Sequence, residues 1–250
     1  MTRPHGSSRR DFVRTLGATA TGLVLSPGLL HSRLGATPAR RGALRIGTIG
    51  AGNIGGAVGL KWAEAGHELF FSSRNPGELT ALVERAGPRA RAGTPAEAAA
   101  FGDVILIAVP YAALPQVGRD YGSHMRGKVV IDCGNPYPGR DGPMATEALE
   151  KGSGAASAEY LPGLRLVRAF NAIGYRSVET EAHRSGEKVA IPIAGDDAEA
   201  VQVTSDLVVD AGFDPVVVGP LARAREFDQG TPVYTQDLTA AQLREALGLR

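Results

Sequence analysis

The chain has 250 residues, 43% of them apolar, and a formal net charge of +1. This composition is sufficient for a folded core and argues against disorder, and the even mixture of charges after about residue 45 gives no basis for nucleic-acid binding. The single cysteine, Cys133, excludes an internal disulfide framework and a cysteine-cluster metal site, and we expect it to be buried by packing.

The first segment predicts an export leader. The motif Ser8-Arg9-Arg10-Asp11-Phe12 precedes a weakly apolar stretch over 15–30, and small residues at 36–39 offer a cleavage region. This order resembles a twin-arginine signal. We therefore exclude residues 1–40 from the fold and expect the twin-arginine translocase to carry the protein to the periplasm or out of the cell. The alternatives are a basic arm or a misassigned start codon, and without a working leader the protein would stay in the cytoplasm.

From residue 43 to 250, short apolar runs alternate with amphipathic segments, which predicts one α/β domain with a doubly wound, mainly parallel sheet and helices on both faces. The expected strands are 44–49, 68–72, 104–109, 129–132, 165–169, 190–194 and 214–218. One helix should follow the first strand and end at Gly66. A second should span 198–211 with Asp196 as its cap, and a third should begin at Thr239 and bury Leu243 and Leu247. The Gly- and Pro-rich segment 135–154 is the candidate for a mobile loop or an internal boundary.

A glycine motif follows the first strand. Gly50-Ala51-Gly52-Asn53-Ile54-Gly55 lies between that strand and the first helix, in the context that a dinucleotide-binding fingerprint requires. The glycines allow a tight turn, a close approach of the backbone to a pyrophosphate, and packing of the helix on the strand. The motif predicts a Rossmann-type nucleotide site, with a plain glycine-rich turn as the weaker alternative.

The end of the second strand indicates which nucleotide binds. An acidic residue there would bind the ribose of NAD, but the chain has Ser73-Arg74-Asn75-Pro76. A hydroxyl, a guanidinium and an Asn-capped, Pro-initiated helix start all suit the 2′-phosphate of NADP(H). The alternative is that Arg74 only forms a surface salt bridge.

Several segments together resemble the NADPH:deazaflavin (coenzyme F420) oxidoreductase family, over nearly everything after Ala43, and more distantly the NADPH-binding domain of six-transmembrane metalloreductases. The segments are the two motifs above, Ala108-Val109-Pro110-Tyr111, Asn135-Pro136, Ala169-Phe170-Asn171-Ala172-Ile173-Gly174, Ala194-Gly195-Asp196-Asp197 and Gly219-Pro220-Leu221. The resemblance implies that Ala108, Val109, Pro110, Asn135 and Pro136 line the nicotinamide side of the cofactor site, and that Tyr111, Asn171 and Ile173 lie on the substrate side.

The chain departs from the family in two ways. It carries the predicted leader, and Glu78 lies near the position where the family has a basic residue after Arg74. The leader puts the identity of the acceptor in question, and Glu78 puts the strength of phosphate binding in question.

No side chain is identified as a catalytic acid. There is no Tyr-x-x-x-Lys pair, and His67, His124 and His183 are each expected at the surface. The chain after Asn171 is too short for the helical substrate domain of hydroxyacid dehydrogenases, and phosphate-loop, zinc-helix and serine-elbow motifs are absent from the sequence.

A flavin-like ring takes hydride directly, so positioning would be most of the protein's task. We therefore predict an NADPH-dependent oxidoreductase that transfers hydride between NADP(H) and a deazaflavin or flavin, with a small-molecule redox substrate, no resident metal and a homodimer left open. The alternative is a non-catalytic NADP(H) sensor or binding module. An open pocket lined by Pro110, Asn171 and Ile173 would favour the enzyme, and a blocked one the sensor.

Overall fold

An eight-stranded sheet organises the computed structural model, which describes residues 42–249. The strands are β1 (Arg45–Ile49), β2 (Glu68–Ser72), β3 (Ala90–Gly93), β4 (Val104–Ile107), β5 (Val129–Asp132), β6 (Arg165–Arg168), β7 (Ala190–Gly195) and β8 (Asp214–Gly219). Their order is β3-β2-β1-β4-β5-β6-β7-β8, and all neighbours are parallel except β6 and β7. The predicted Rossmann-type, mainly parallel α/β fold is confirmed. The predicted leader lies outside the described residues.

Helices connect the strands. They are α1 (Asn53–Glu64), α2 (Thr80–Ala86), α3 (Pro95–Phe101), α4 (Leu114–Met125), α5 (Pro138–Asp141), α6 (Pro143–Lys151), α7 (Ser153–Tyr160), α8 (Tyr175–Glu181), α9 (Ala198–Asp210) and α10 (Ala240–Ala246). Three 3₁₀ helices span Pro76–Leu79, Tyr111–Ala113 and Leu221–Phe227. Between residues 42 and 249, none of the helices combines the length and the apolar character that a membrane crossing requires.

The central strands are buried on both faces, as is typical of parallel sheets covered by helices. Every residue of β4 and β5 is buried. Successive side chains of β4 alternate between two apolar clusters: Val104 and Leu106 join Trp62 of α1, whereas Ile105 and Ile107 join Met125 of α4. An apolar cluster therefore lies on each face of β4, and the carboxyl ends of the parallel strands β1 to β6 meet at one edge of the sheet, opposite to those of β7 and β8.

All seven predicted strands are present, with ends that differ by up to two residues. The short edge strand β3, which ends in glycine, was not predicted from the sequence. The cap of α9 was assigned wrongly by one residue: Asp197 accepts the hydrogen bond from the backbone N–H of Ala200 at 2.8 Å, while Asp196 accepts from the N–H of Leu221 at 2.9 Å. The start of α10 at Thr239 is confirmed by its reciprocal capping box. Leu243 is buried as predicted, and Leu247 is partly buried.

Helices cover most of the segment 135–154, from Pro138 onward, so the prediction of a mobile loop is wrong. Pro138 and Pro143 occupy first-turn positions of α5 and α6, where proline is favoured. Gly142 and Gly152 have φ angles of +67° and +89°, which suit the junctions between successive short helices. The glycines and prolines here begin and end helices, and residues 42–249 pack as one compact unit.

Candidate functional site

The glycine turn lies at the carboxyl end of β1. Gly50 has a φ angle of +91°, and a Cβ atom at Gly55 would lie 2.2 Å from the carbonyl oxygen of Gly50, so the turn and the helix can pack this closely only with glycine at both positions. A Cβ atom at Gly52 would meet nothing within 4 Å. Gly52 precedes α1, and no side chain of the described part caps this helix. Its first N–H groups are therefore available to an anion.

The Arg74 guanidinium is exposed and makes no hydrogen bond or ion pair within residues 42–249. The alternative of a surface salt bridge is thus not realised in the described residues. The backbone N–H of Asn75 donates to Ser73 Oγ at 3.0 Å, which orders the turn. The predicted Asn cap is absent, because Asn75 Nδ2 donates to Glu78 Oε1 at 3.1 Å instead, but Pro76 does begin a 3₁₀ helix.

Two chambers lie along the carboxyl edge of the sheet. The first, which we call the phosphate chamber, has a volume of about 560 Å³ and is lined by Ile49, Gly50, Ala51, Gly52, Ser73, Arg74, Glu78, Leu79, Pro95, Ala108, Val109, Pro110, Ala113, Gln116, Val117, Asp120 and Tyr121. Glu78 is an acidic residue of this wall.

The second, which we call the acceptor chamber, has a volume of about 550 Å³. It is lined by Asn53, Ile54, Ala108, Val109, Pro110, Cys133, Gly134, Asn135, Tyr137, Arg140, Phe170, Asn171, Ile173, Gly174, Tyr175, Tyr234 and Thr235. The segment 108–110 borders both chambers, so they adjoin and form one elongated cleft. Such a cleft at the strand ends is where α/β sheets bind nucleotides.

Most predicted site residues border this cleft, but Gly55, Asn75, Tyr111 and Pro136 do not. Tyr111 is fully buried, and its hydroxyl lies 3.0 Å from both the carbonyl oxygen of Ser153 and Ser157 Oγ. Burial, with Asp132 nearby, raises the pKa of Tyr111 far above its usual range. The chain turns into a 3₁₀ helix directly after Pro110, which directs the next side chain into the core. The expectation that Tyr111 lies at the substrate is therefore wrong.

Two asparagines join the ends of β5 and β6. Asn135 Nδ2 donates to the carbonyl oxygen of Asn171 at 2.7 Å. Asn171 is 2% exposed, and its Oδ1 atom has no hydrogen-bond partner in the described part of the chain. The preceding residue, Phe170, has a φ angle of +60°, which is uncommon for a bulky side chain and indicates local strain at this corner. Asn171 thus carries an unsatisfied acceptor on the wall of the acceptor chamber.

A pair of tyrosines lines the same chamber, and sequence reasoning missed it. The hydroxyls of Tyr137 and Tyr234 are hydrogen-bonded to each other, and Asn135 Nδ2 lies 3.3 Å from the Tyr234 hydroxyl. Burial and the hydrogen bond with Tyr137 raise the pKa of Tyr234 well above its ordinary value, so this phenol is neutral and can donate. The Arg140 guanidinium lies 4.8 Å from the centre of the Tyr137 ring. Tyr137 and Tyr234 are 97 positions apart in the sequence, and no local motif connects them.

A buried charge network supports the end of β5. Arg168 is fully buried and donates from Nη1 to Asp132 Oδ2 at 2.7 Å, and its Nη2 lies 3.7 Å from Asp228 Oδ1. Asp132 also accepts from the backbone N–H of Gly134 at 2.9 Å and from Ser157 Oγ at 2.7 Å. The network fixes the backbone that leads into Asn135. The sequence offered no periodic signal for it.

Three further expectations concern single side chains. Cys133 is buried and donates to the carbonyl oxygen of Ile107 at 3.3 Å, which confirms a packing role. His67 is buried, contrary to expectation: its Nδ1 accepts from the N–H of Leu44 at 3.1 Å and its Nε2 lies 3.1 Å from Asp210. His124 and His183 are exposed and border neither chamber. Within residues 42–249, no group of His, Cys, Asp or Glu could hold a metal ion.

The fold and the cleft define a dinucleotide-binding α/β domain. Residues 45–136 match the family model described as "NADP oxidoreductase coenzyme F420-dependent". The resemblance inferred from the sequence motifs is therefore confirmed over the segment that carries the glycine turn, Arg74, and the segments at 108–110 and 135–136.

Relatives that match about three quarters of the chain include NADP reductases and a metalloreductase. The chain is 28% identical over 205 residues to the F420-dependent NADP reductase of Methanothermobacter thermautotrophicus strain Delta H, covering 76% of this chain and 87% of the relative. It is 28% identical over 193 residues to the metalloreductase STEAP3 of Rattus norvegicus, covering 74% of this chain and 36% of the relative. The chain thus matches only about a third of the metalloreductase's length.

A solved structure of a hypothetical protein from Sinorhizobium meliloti has the same fold, with a TM-score of 0.66, 25% sequence identity, and coverage of 78% of this chain and 95% of that chain. The comparisons therefore support an oxidoreductase homologue with NADP(H) as its nucleotide.

Proposed function

We propose that the protein transfers hydride between NADP(H) and a flavin-like acceptor, either a deazaflavin or a flavin. The observation that carries the proposal is the open acceptor chamber of about 550 Å³, bordered by Pro110, Asn171 and Ile173 beside the nucleotide turn. A blocked chamber would instead favour a sensor. The volume of the acceptor chamber falls within the usual range for a small-molecule site.

The phosphate chamber supplies the nucleotide-binding half of the proposal. The free N–H groups at the start of α1 would bind the pyrophosphate, and Gly52 leaves space for its close approach. Arg74 would donate to the 2′-phosphate, because its guanidinium has no competing partner within residues 42–249, and Ser73 lies beside it.

The acceptor chamber supplies the other half. Pro110 and Ile173 would form apolar walls against a planar ring, and Asn171 would contact its polar edge. Because a flavin-like ring accepts hydride without side-chain acid catalysis, positioning the ring against the nicotinamide is the main requirement on the protein.

The proposal is tested by offering NADPH anaerobically with a deazaflavin, a free flavin, and a set of aldehydes, ketones and imines. We expect reduction of the deazaflavin or flavin to be fastest. Ile173→Asp should slow that reaction by placing a charge against the ring, with NADPH affinity nearly unchanged because the glycine turn and Arg74 border the other chamber. Rapid turnover of a carbonyl compound with no flavin reduction would contradict the proposal, and tight NADPH binding with no turnover of any acceptor would favour the sensor.

We also propose that residues 1–40 act as a twin-arginine leader and direct the protein out of the cytoplasm. The motif Ser8-Arg9-Arg10-Asp11-Phe12 supports this. Cell fractionation should find the wild-type protein outside the cytoplasm and the Arg9→Lys, Arg10→Lys variant inside it. Finding both in one compartment would contradict export.

A further inference from the structure

One hydroxyl hydrogen of the tyrosine pair in the acceptor chamber is not used in a hydrogen bond. Tyr137 and Tyr234 each carry one hydroxyl hydrogen, and their mutual hydrogen bond uses one of the two. The neighbouring Asn135 Nδ2 group is itself a donor, so it takes up none. No other acceptor within residues 42–249 receives a hydrogen bond from either hydroxyl. In either orientation of the pair, one O–H donor remains free for a ligand.

The wall of the same chamber also contains a hydrogen-bond acceptor without a partner in the described residues, Asn171 Oδ1. Asn171 Oδ1 is buried without a partner in the described residues, while the Nδ2 atom of the same side chain makes long hydrogen bonds to Asn135 Oδ1 at 3.5 Å and to the carbonyl oxygen of Phe227 at 3.4 Å. A buried acceptor without a partner costs stability unless a ligand satisfies it. The wall of the chamber therefore contains one free donor and one buried acceptor without a partner in the described residues.

The Tyr137 side of the chamber is held in place by the surrounding chain. Arg140 stacks on the Tyr137 ring and donates from Nη2 to the carbonyl oxygen of Asn135 at 2.8 Å. The buried Asp141 carboxylate accepts from Arg140 and from the backbone N–H groups of Tyr137 and Ala112, at 2.9 and 3.3 Å. These contacts tie the tyrosine wall to the segment that follows Pro110, so the polar groups keep a fixed relation to the nucleotide cleft.

We propose that Tyr137, Tyr234 and Asn171 form a subsite for a lactam edge, that is, a ring carbonyl next to a ring N–H. The tyrosine pair donates to the carbonyl oxygen, and Asn171 Oδ1 accepts from the N–H. The uracil-like ring that flavins and deazaflavins share has this edge, and its carbonyl gains negative charge as the ring receives hydride. The subsite rests on the proposed function and specifies which end of the acceptor is recognised.

The donor half of the subsite is tested by removing the two tyrosine hydroxyls singly and together. Tyr137→Phe or Tyr234→Phe leaves one hydroxyl whose hydrogen is free, whereas the double variant leaves none. With lumiflavin as acceptor, we expect at least one single variant to keep kcat within a few fold of wild type and the double variant to lose about tenfold or more, because a donor to a developing charge is worth at least this much. The matched control is Tyr160→Phe, because the Tyr160 side chain packs on Tyr111 and borders neither chamber.

The acceptor half is tested with 3-methyllumiflavin, which lacks the ring N–H. Wild type should show a KM for this analogue about tenfold above that for lumiflavin, and Asn171→Ala should lose the discrimination, since one buried hydrogen bond is worth about this factor. Binding of oxidised lumiflavin, followed by fluorescence quenching with NADP⁺ present, should show the same pattern without turnover.

The outcomes separate the subsite from the proposed function. If wild type reduces neither a deazaflavin nor a flavin, the proposed function fails. If flavins are reduced but the double tyrosine variant matches wild type, or both single variants fall as far as the double, the subsite is wrong. Weaker NADPH binding in the tyrosine and Asn171 variants, with flavin discrimination unchanged, would assign these groups to the nicotinamide carboxamide and likewise overturn it.

Discussion

Replacing Arg74 by glutamate should separate NADPH from NADH. Arg74 is exposed and has no partner within residues 42–249, so the substitution should change the free energy of unfolding by no more than about 0.5 kcal/mol. A charge-assisted hydrogen bond to phosphate is worth about 2 kcal/mol, and this loss corresponds to roughly a 30-fold rise in the Kd for NADPH. NADH lacks the 2′-phosphate, so its Kd should change little.

Titration of both nucleotides, by fluorescence or calorimetry, measures these two constants. Arg85→Glu is the matched control, because Arg85 lies on α2, is exposed, makes no hydrogen bond or ion pair within residues 42–249 and borders neither chamber. Glu78→Gln should tighten NADPH binding, since it removes a carboxylate from the same chamber. Equal losses of NADPH and NADH affinity in Arg74→Glu would refute the assignment of Arg74 to the phosphate.

Two further predictions concern the interior. Asp132→Ala should lower the free energy of unfolding by about 3–5 kcal/mol in urea denaturation, because it leaves the fully buried Arg168 without its closest partner. The exposed pair of Arg45 and Asp103 is the comparison, and Asp103→Ala should cost less than about 1 kcal/mol, so equal costs would contradict the argument. Burial, and then the nearby Asp132, raises the pKa of Cys133 to about 12, so a thiol reagent at pH 8 should modify it only in denaturant. Rapid modification of the native protein would show that the thiol is accessible.

Much of the nucleotide half could be predicted from the sequence because its signals are local. The turn from Gly50 to Gly55 requires glycine wherever backbone approaches backbone, and such a requirement shows in a short motif. Arg74 follows directly from the end of β2. The apolar runs of the central strands likewise reveal burial on both faces, so the parallel sheet was foreseeable.

The local signals failed where the direction of a side chain depends on packing. Tyr111 follows Pro110 as the motif indicated, but the 3₁₀ turn sends its ring into the core. His67 was expected at the surface, yet its ring is buried between Leu44 and Asp210. Glycine and proline in 135–154 are as compatible with helix ends as with a loop, and the composition alone does not distinguish the two.

By itself, the sequence determined the sheet, the glycine turn and the charge at the end of β2, because each depends on neighbours along the chain. Only the tertiary structure decided the polar wall of the acceptor chamber. Tyr137 meets Tyr234 across 97 residues, and Asn135 meets Asn171 across 36. These groups come together because the parallel sheet brings the carboxyl ends of β5 and β6 side by side and the segment after β8 returns to the same edge. Contacts of this kind leave no period or spacing in the sequence, since they are set by the path of the chain between them.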